Sequence, residues 1–438
     1  MDFNSFNFHL NISAGISAAG YTTPTPIQAQ AMPSVLSGRD VMGLAQTGTG
    51  KTAAFVLPLL QRLLEGERGR VRALIVAPTR ELAEQINETI IALGQQTGLR
   101  SLTVYGGVSI NPQIQKLKRG VEIVVACPGR LLDHIQQRTI NLSQVEVLVL
   151  DEADRMFDMG FLPDIRKIVK QLSVKRQTLL FSATMPKEIL KLAHEVLTNP
   201  ETVQVDMLAP PQTVSHALYP VAQHLKAELL LHLLKKTSTE SVLVFTRTKH
   251  RAKRLGEKLL KVGYKAASLQ GNLSQNRRQA ALNGFRDGSV QILVATDIAA
   301  RGIDVSQISH VVNFDIPDTP EAYIHRIGRT GRALRTGEAF TMIAGEDTPM
   351  VRAIEKALGQ QIERRTLAEF DYKAAAPPKE PTTPRPQHAK TAKPAKPAGN
   401  SLARKSSRPD VAAGNPNRKN SNPRQRRPQS GSRASASA

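Results

Sequence analysis

The stretch Ala45-Gln46-Thr47-Gly48-Thr49-Gly50-Lys51-Thr52 lies between a short apolar run, Val41 to Leu44, and a helical pattern from Ala53 to Leu64. Strand, glycine-rich loop and helix in that order aim backbone N–H groups and a helix N-terminus at one spot, which suits phosphate oxygens. Lys51 would neutralise the outer phosphates, and the Thr52 hydroxyl would face Mg²⁺. Ala45 stands where the opening glycine is usual, and a glycine-rich turn without a ligand is the plainer alternative.

Downstream, Val147-Leu148-Val149-Leu150 runs straight into Asp151-Glu152-Ala153-Asp154. An apolar strand ending on carboxylates is how a phosphate-loop fold delivers an acid to Mg²⁺, which takes hard oxygens and keeps most of its waters. Asp151 is the candidate metal ligand beside Thr52, and Glu152 the candidate base for a water attacking the terminal phosphate. An acidic helix cap is the alternative for this cluster.

Other short aliphatic runs, Ala73 to Ala77, Ile123 to Ala126 and Thr178 to Phe181, alternate with longer amphipathic patterns. This reads as β–α alternation around a buried parallel sheet. A second series opens at Ser241 to Phe245 and continues through Gln291 to Ala295 and His310 to Phe314. A length of 438 residues accommodates two or three domains. Between the two series lies Leu208-Ala209-Pro210-Pro211-Gln212, whose paired prolines interrupt helix and sheet alike. We expect a first domain over residues 1–207, a hinge over 208–213, a second domain over 214–372 and a tail over 373–438.

Lys and Arg number 59 against 37 Asp and Glu, a net charge of +22 that favours polyanionic partners. The 66 residues of the tail carry 15 of those cations and 2 of the carboxylates, with 11 prolines and no aromatic residue. Such a segment cannot bury enough surface to offset chain entropy and should be disordered. It is either a solubilising extension or a sequence-blind RNA or DNA tether, in which clusters such as Arg424, Arg426 and Arg427 attract phosphates by counterion release. With aromatics at 4% and no Trp, the cores must be mostly aliphatic. The single cysteine, Cys127, excludes an intrachain disulfide and a multi-cysteine zinc site. No apolar run approaches the roughly 18 residues of a membrane span, and no basic residue precedes Arg39, so a soluble cytoplasmic protein with no membrane partner is expected.

With these motifs in place, the chain resembles the DEAD-box RNA helicases, superfamily 2 ATPases, over residues 1 to about 372, and Asp151 to Asp154 spell the family's name. The resemblance implies an α/β fold of two tandem RecA-like parallel-sheet domains joined by a short hinge, with ATP and Mg²⁺ as cofactors and RNA as partner. Gly20-Tyr21-Thr22-Thr23-Pro24-Thr25-Pro26-Ile27-Gln28 is similar to the family's adenine-reading segment. By resemblance Gln28 hydrogen-bonds adenine, Tyr21 and Thr23 belong to the same segment, and Phe3 stacks on the base, with Phe6 or Phe8 as alternative stackers.

Pro78-Thr79-Arg80, Gly106-Gly107 and Cys127-Pro128-Gly129-Arg130 resemble the family's RNA-contact segments. Their chemistry suits backbones: Thr79 and Arg80 at a helix start, Gly106 and Gly107 for close approach, Arg130 as a forked donor. Cys127 stands where Thr is more usual, and a buried strand-end thiol is its plainer reading. Ser182-Ala183-Thr184 resembles the segment that links ATP state to RNA binding, its hydroxyls bridging Asp154 and His325.

In the second series Thr246, Arg247, Gly271, Gln275, Arg278 and Thr296 match RNA-contact positions, and Asp304 a ribose-binding carboxylate. His325-Arg326-Ile327-Gly328-Arg329-Thr330-Gly331-Arg332 implies that Arg329 and Arg332 are arginine fingers reaching the γ-phosphate from the second domain. Such fingers are worth about 10³ to 10⁵ in rate. A solvated basic face is the alternative.

The expectation is an RNA-dependent ATPase that destabilises short RNA duplexes, ATP and single-stranded RNA each favouring domain closure. An ATP-gated RNA clamp or scaffold shares every motif. A DNA translocase of the superfamily is disfavoured by the Gln28 segment and by the spelling of Asp151 to Asp154. The compact core and tail look most like the bacterial RhlE-like group, with roles around ribosome assembly or RNA decay.

Overall fold

The computed structural model describes residues 2–46, 48–205, 214–237, 240–300, 308–331 and 336–375. Its first sheet holds β1 (Val41–Leu44), β2 (Ala73–Val76), β3 (Ser101–Val104), β4 (Ile123–Ala126), β5 (Val147–Leu150), β6 (Gln177–Ser182) and β7 (Glu201–Gln204). The second holds β8 (Val214–Pro220), β9 (Val242–Phe245), β10 (Ala266–Leu269), β11 (Ile292–Ala295), β12 (His310–Asn313), β13 (Gly337–Ile343) and β14 (Glu363–Arg364). The spatial orders are β3-β4-β2-β5-β6-β1-β7 and β10-β11-β9-β12-β13-β8-β14, one strand plan used twice. Pairing within both sheets is parallel.

The inner strands β2, β4, β5 and β11 are aliphatic at every position because helices cover both faces. Along β2, Ala73 and Ile75 enter one core and Leu74 and Val76 the other, and Val147, Val149 against Leu148, Leu150 repeat the division on β5. Leu243 and Phe245 against Val242 and Val244 do the same on β9. As expected, aliphatic side chains dominate all four clusters, with aromatic pairs such as Phe55 and Phe181 at 5.4 Å as local exceptions. Past β14, Phe370, Tyr372 and Ala374 pack onto the second sheet's core.

Parallel strands leave all their carboxyl ends at one edge, where ligands of open α/β sheets bind. Seven of the sequence motifs follow strand ends: Ala45 after β1, Pro78 and Thr79 after β2, Gly106 after β3, Cys127 after β4, Asp151 after β5, Thr246 after β9, Thr296 after β11. The helix after the glycine-rich loop is Lys51–Leu63, beginning two residues before the apolar pattern because Gly50, at φ 95°, is its cap. Among the described residues no helix is long and apolar enough to cross a membrane. The expected hinge at 208–213 and nearly all of the tail lie outside the described residues.

Candidate nucleotide site and RNA-facing edge

The loop after β1 is shaped by Gly48 and Gly50, both in the left-handed region at φ 88° and 95°. Thr49 Oγ1 donates to the Gln46 carbonyl at 2.7 Å, and the buried Lys51 Nζ donates to the Ala45 carbonyl at 2.6 Å. Gln28 accepts from the Thr25 N–H at 2.9 Å and donates to the Gly50 carbonyl at 3.1 Å. The segment expected to read adenine is thereby tied to the glycine-rich loop. A side chain at Gly50 would overlap the Gln28 amide. Phe3, Phe6 and Phe8 are all buried, Phe3 lying against Tyr21 and Phe6 with ring centroids 6.1 and 6.3 Å apart and Phe6 against Phe8 at 5.8 Å; Tyr21 and Thr23 are exposed.

Asp151, Glu152 and Asp154 are all buried. Glu152 adopts φ 52°, ψ 52°, uncommon for a residue with a side chain, and its N–H donates to Asp151 Oδ1 at 2.9 Å. Burial pushes the Asp151 carboxyl up to about 7, with Lys51 opposing and Glu152 and Asp154 adding to the rise. Burial also acts to raise Glu152, but Arg155, Lys51 and Arg329 outweigh it and hold that carboxyl below its usual range. Arg155 Nε stands 3.3 Å from Glu152 Oε2. Clustered carboxylates around one lysine are a donor set that fits a hard dication beside the half-buried Thr52. Among the described residues no three acidic, His or Cys groups converge as a cage.

The Ser182 hydroxyl accepts from the Asp154 N–H at 3.2 Å and donates to the Thr184 carbonyl at 2.7 Å. Thr184 N–H and Oγ1 both donate to Asp154 Oδ2 at 3.1 Å. The two hydroxyls therefore serve Asp154 and backbone, and His325 lines the same cavity as Asp154 and Thr184. Burial, and then the Arg155 guanidinium, push His325 down to about 4, so it is neutral at pH 7.

Between the sheets lies a cavity of about 810 Å³, lined from the first by Asp154 and Thr184 and from the second by Arg247, Thr296, His325 and Arg329. Arg329 is buried and contributes to lowering the carboxyl of Glu152 from the opposite sheet. Arg326, given no role from sequence, is a post: its Nε and Nη2 fork onto Asp297 at 2.7 and 2.5 Å. Its Nη1 reaches Asn313 Oδ1 at 3.1 Å and the Asp315 carbonyl at 2.7 Å, and the guanidinium lies 5.0 Å from the Phe245 ring centroid. Arg155, Asp297 and Asp315 were likewise unmarked, because nothing local in the sequence distinguishes them from surface charges.

Along the RNA-facing edge, Thr79 caps the helix Arg80–Leu93, its Oγ1 accepting from Leu82 N–H at 3.3 Å. Gly107, at φ 77°, lies under the Arg80 guanidinium where a side chain would collide with it. Arg130 Nη2 donates to the Val108 carbonyl at 3.0 Å, so Arg80 and Arg130 converge on the Gly106 and Gly107 loop. Pro128 is buried, Gly129 exposed, and Cys127 partly buried with its thiol pushed up to about 12 by burial.

Three positions expected to contact RNA have protein partners in this structure. Thr246 is fully buried and its hydroxyl donates weakly to the Thr248 carbonyl at 3.4 Å, so the exposed Arg247 beside it is the outward group. Gln275 and Arg278 engage the first lobe: Arg80 Nη1 donates to Gln275 Oε1 at 3.0 Å, and Arg278 forks onto Glu81 Oε1 at 2.6 and 2.9 Å. Glu81 is a buried carboxylate that needs such a partner. Gly271 is exposed and Thr296 half-buried. Thr47, Asp304 and Arg332 lie outside the described residues.

Comparison with known proteins gives the same reading from an independent direction. The family model described as DEAD/DEAH box helicase matches residues 25–192, and the helicase conserved C-terminal domain matches 225–334. The DEAD-box ATP-dependent RNA helicase CshA of Bacillus subtilis is 46% identical over 365 residues, covering 83% of this chain and 73% of the relative. CshA of Geobacillus kaustophilus is 43% identical, covering 83% and 78%. Among solved structures, Saccharomyces cerevisiae Dbp5 bound to RNA and ADP BeF₃ superposes with a TM-score of 0.76 at 31% identity, covering 83% of this chain and 95% of that one. Mss116p bound to single-stranded RNA and AMP-PNP gives 0.75 at 28%, covering 84% and 79%. Two RecA-like sheets on one strand plan, a phosphate loop and buried carboxylates facing an arginine of the opposite lobe thus coincide with an extended sequence match, and the chain belongs to the DEAD-box ATP-dependent RNA helicases.

Proposed function

We propose that this helicase hydrolyses ATP only when its lobes are closed on single-stranded RNA, and that closure separates short duplexes. One observation carries the reading: Arg329 of the second sheet lines the same cavity as Asp154 and Arg155 of the first, beside the buried Glu152. Gln28 and Phe3 take the base, and the loop Ala45 to Thr52 with Lys51 takes the phosphates. Thr52 and Asp151 hold Mg²⁺, which neutralises charge on the phosphate oxygens. Glu152, kept ionised by its cationic neighbours, accepts the proton of the attacking water. Arg329 and Arg332 stabilise the charge that develops on the transferred phosphoryl group. Arg80, Gly107, Arg130, Arg247 and Thr296 hold the RNA backbone, a grip blind to sequence.

Arg329→Ala tests this directly. The expected outcome is a fall in kcat of about 10³ or more with ATP and RNA binding retained, measured by single-turnover hydrolysis; undiminished hydrolysis would remove Arg329 from the site. A second reading, an ATP-gated clamp with little unwinding, is favoured by the bonds from Arg80 to Gln275 and from Glu81 to Arg278 that hold the lobes together. Strand displacement on short duplexes separates the two. We place the protein in the cytoplasm, working on ribosomal precursors or in RNA decay. Assignment to the RhlE-like group rests on the compact core and basic tail.

A further inference from the structure

The helix Lys249–Lys261 carries six cations, Lys249, Arg251, Lys253, Arg254, Lys258 and Lys261, against one carboxylate, Glu257. Ala252, Leu255, Gly256 and Leu259 bury its apolar side on the second sheet. The helical period therefore turns Lys249, Lys253, Arg254 and Lys261 outward, and all four are exposed. Residues four apart advance about 6 Å along a helix, so these form a row of cations rather than a single point. Glu257 interrupts the row between Lys253 and Lys261, pairing with Lys253 at 3.8 Å, and the half-buried Arg251 is bonded to Asp315.

A charged helix face is ordinarily just solvated. Two placements argue for more. The helix follows directly on Arg247, which lines the interlobe cavity, and Lys249 Nζ donates to Asn272 Oδ1 at 3.0 Å, beside the exposed Gly271. The row thus starts where RNA would leave the cleft. The base of the tail is placed nearby: His224 Nε2 donates to the Ala374 carbonyl at 2.9 Å. The adjoining Gln223 carboxamide, oriented to satisfy both groups, accepts from the Arg251 guanidinium at 3.1 and 3.2 Å. The chain, with 14 Lys and Arg still to follow in sequence, therefore passes Ala374 beside this same helix.

We propose that the outward face of Lys249–Lys261 is a second RNA track, holding phosphates of a strand that continues past Arg247 out of the cleft. The proposal rests on the RNA reading given above. RNA is favoured over an acidic protein because the cations run the length of the helix, whereas the exposed apolar side chains, Leu260 and Val262, are confined to its end.

The test compares full-length protein with the variant K253A/R254A/K261A, using fluorescence anisotropy on a short oligouridine that fills only the cleft and on a long oligouridine, across a salt series. Each lost phosphate contact removes about 0.7 from the slope of log K against log salt for single strands, so about two units of slope should disappear for the long strand. Its affinity should fall about tenfold at low salt, while affinity for the short strand and saturated ATP turnover stay at the unaltered level. K253R/K261R, which keeps the charge, should retain long-strand affinity. An unchanged salt slope on the long strand, equal weakening of both lengths, or loss of an acidic protein partner with RNA binding intact would overturn the proposal. Failure of the short strand to stimulate ATP hydrolysis in the unaltered protein would instead overturn the RNA-dependent reading, and the two lengths would still decide the track.

Discussion

Cys127 occupies a position at which its relatives' resemblance suggests a hydroxyl, and its surroundings decide how it behaves. It packs against the first core at the end of β4, and burial pushes its thiol up to about 12. A thiol raised this far is protonated at pH 8, where an unperturbed thiol near 8.5 is partly ionised, so its thiolate fraction falls by about three orders of magnitude. Alkylation by iodoacetamide at pH 8 should therefore be about 10³ slower in the folded protein than after denaturation. Equal rates would show that the thiol is accessible and ionised. At the same scale Glu152 and Asp151, neighbours in sequence, are driven in opposite directions: Lys51 acts on both, while Arg155 and Arg329 add to it at Glu152. Sequence marked both as acids at a strand end; only the packing of Arg155 and Arg329 separates a carboxylate held ionised from one near neutrality.

Among elements, the central strands were readable because parallel strands covered on both faces leave unbroken aliphatic runs. Val147–Leu150 and Ile123–Ala126 stand where the periodicity puts them. Edge strands such as Ser101–Val104 and Glu201–Gln204 carry no such run, since one side meets solvent, and they went unmarked. The segment His325 to Gly331 shows the other limit. Of the three arginines in this motif, Arg329 and Arg332 read as fingers and Arg326 had no role; Arg326 points into its own lobe to fork on Asp297 while Arg329 faces the cavity. Replacing Arg326 with Lys removes the fork and leaves Asn313 and the Asp315 carbonyl short of a donor. With Asp297 37% exposed, the cost should be about 2 to 3 kcal/mol, the low end for breaking a buried pair. The second lobe's Tm should then fall by about 5 to 10 °C in differential scanning calorimetry, and an unchanged transition would refute the role.

At the scale of the molecule, the ion pair between Glu81 and Arg278 and the hydrogen bond between Arg80 and Gln275 join the lobes at the edge where RNA is expected. If closure couples the two ligands, Arg278→Ala should reduce the factor by which a nucleotide analogue tightens RNA, by about tenfold. Linkage requires the same reduction in the factor by which RNA tightens the analogue. Titrations in both orders check it; coupling that survives intact would assign this contact to packing alone.

The chain by itself determined the local order: aliphatic strands, a glycine loop before a helix, carboxylates at a strand end and a basic, proline-rich terminus. Each depends on neighbours a few residues apart, so periodicity and backbone preference suffice to set them. Tertiary structure alone decided that Arg329 meets Glu152, that Arg326 holds Asp297 and that Arg278 braces Glu81 across 197 residues of chain. Partners so distant are chosen by how two sheets pack and by which buried charges must be matched, and no local pattern carries that information.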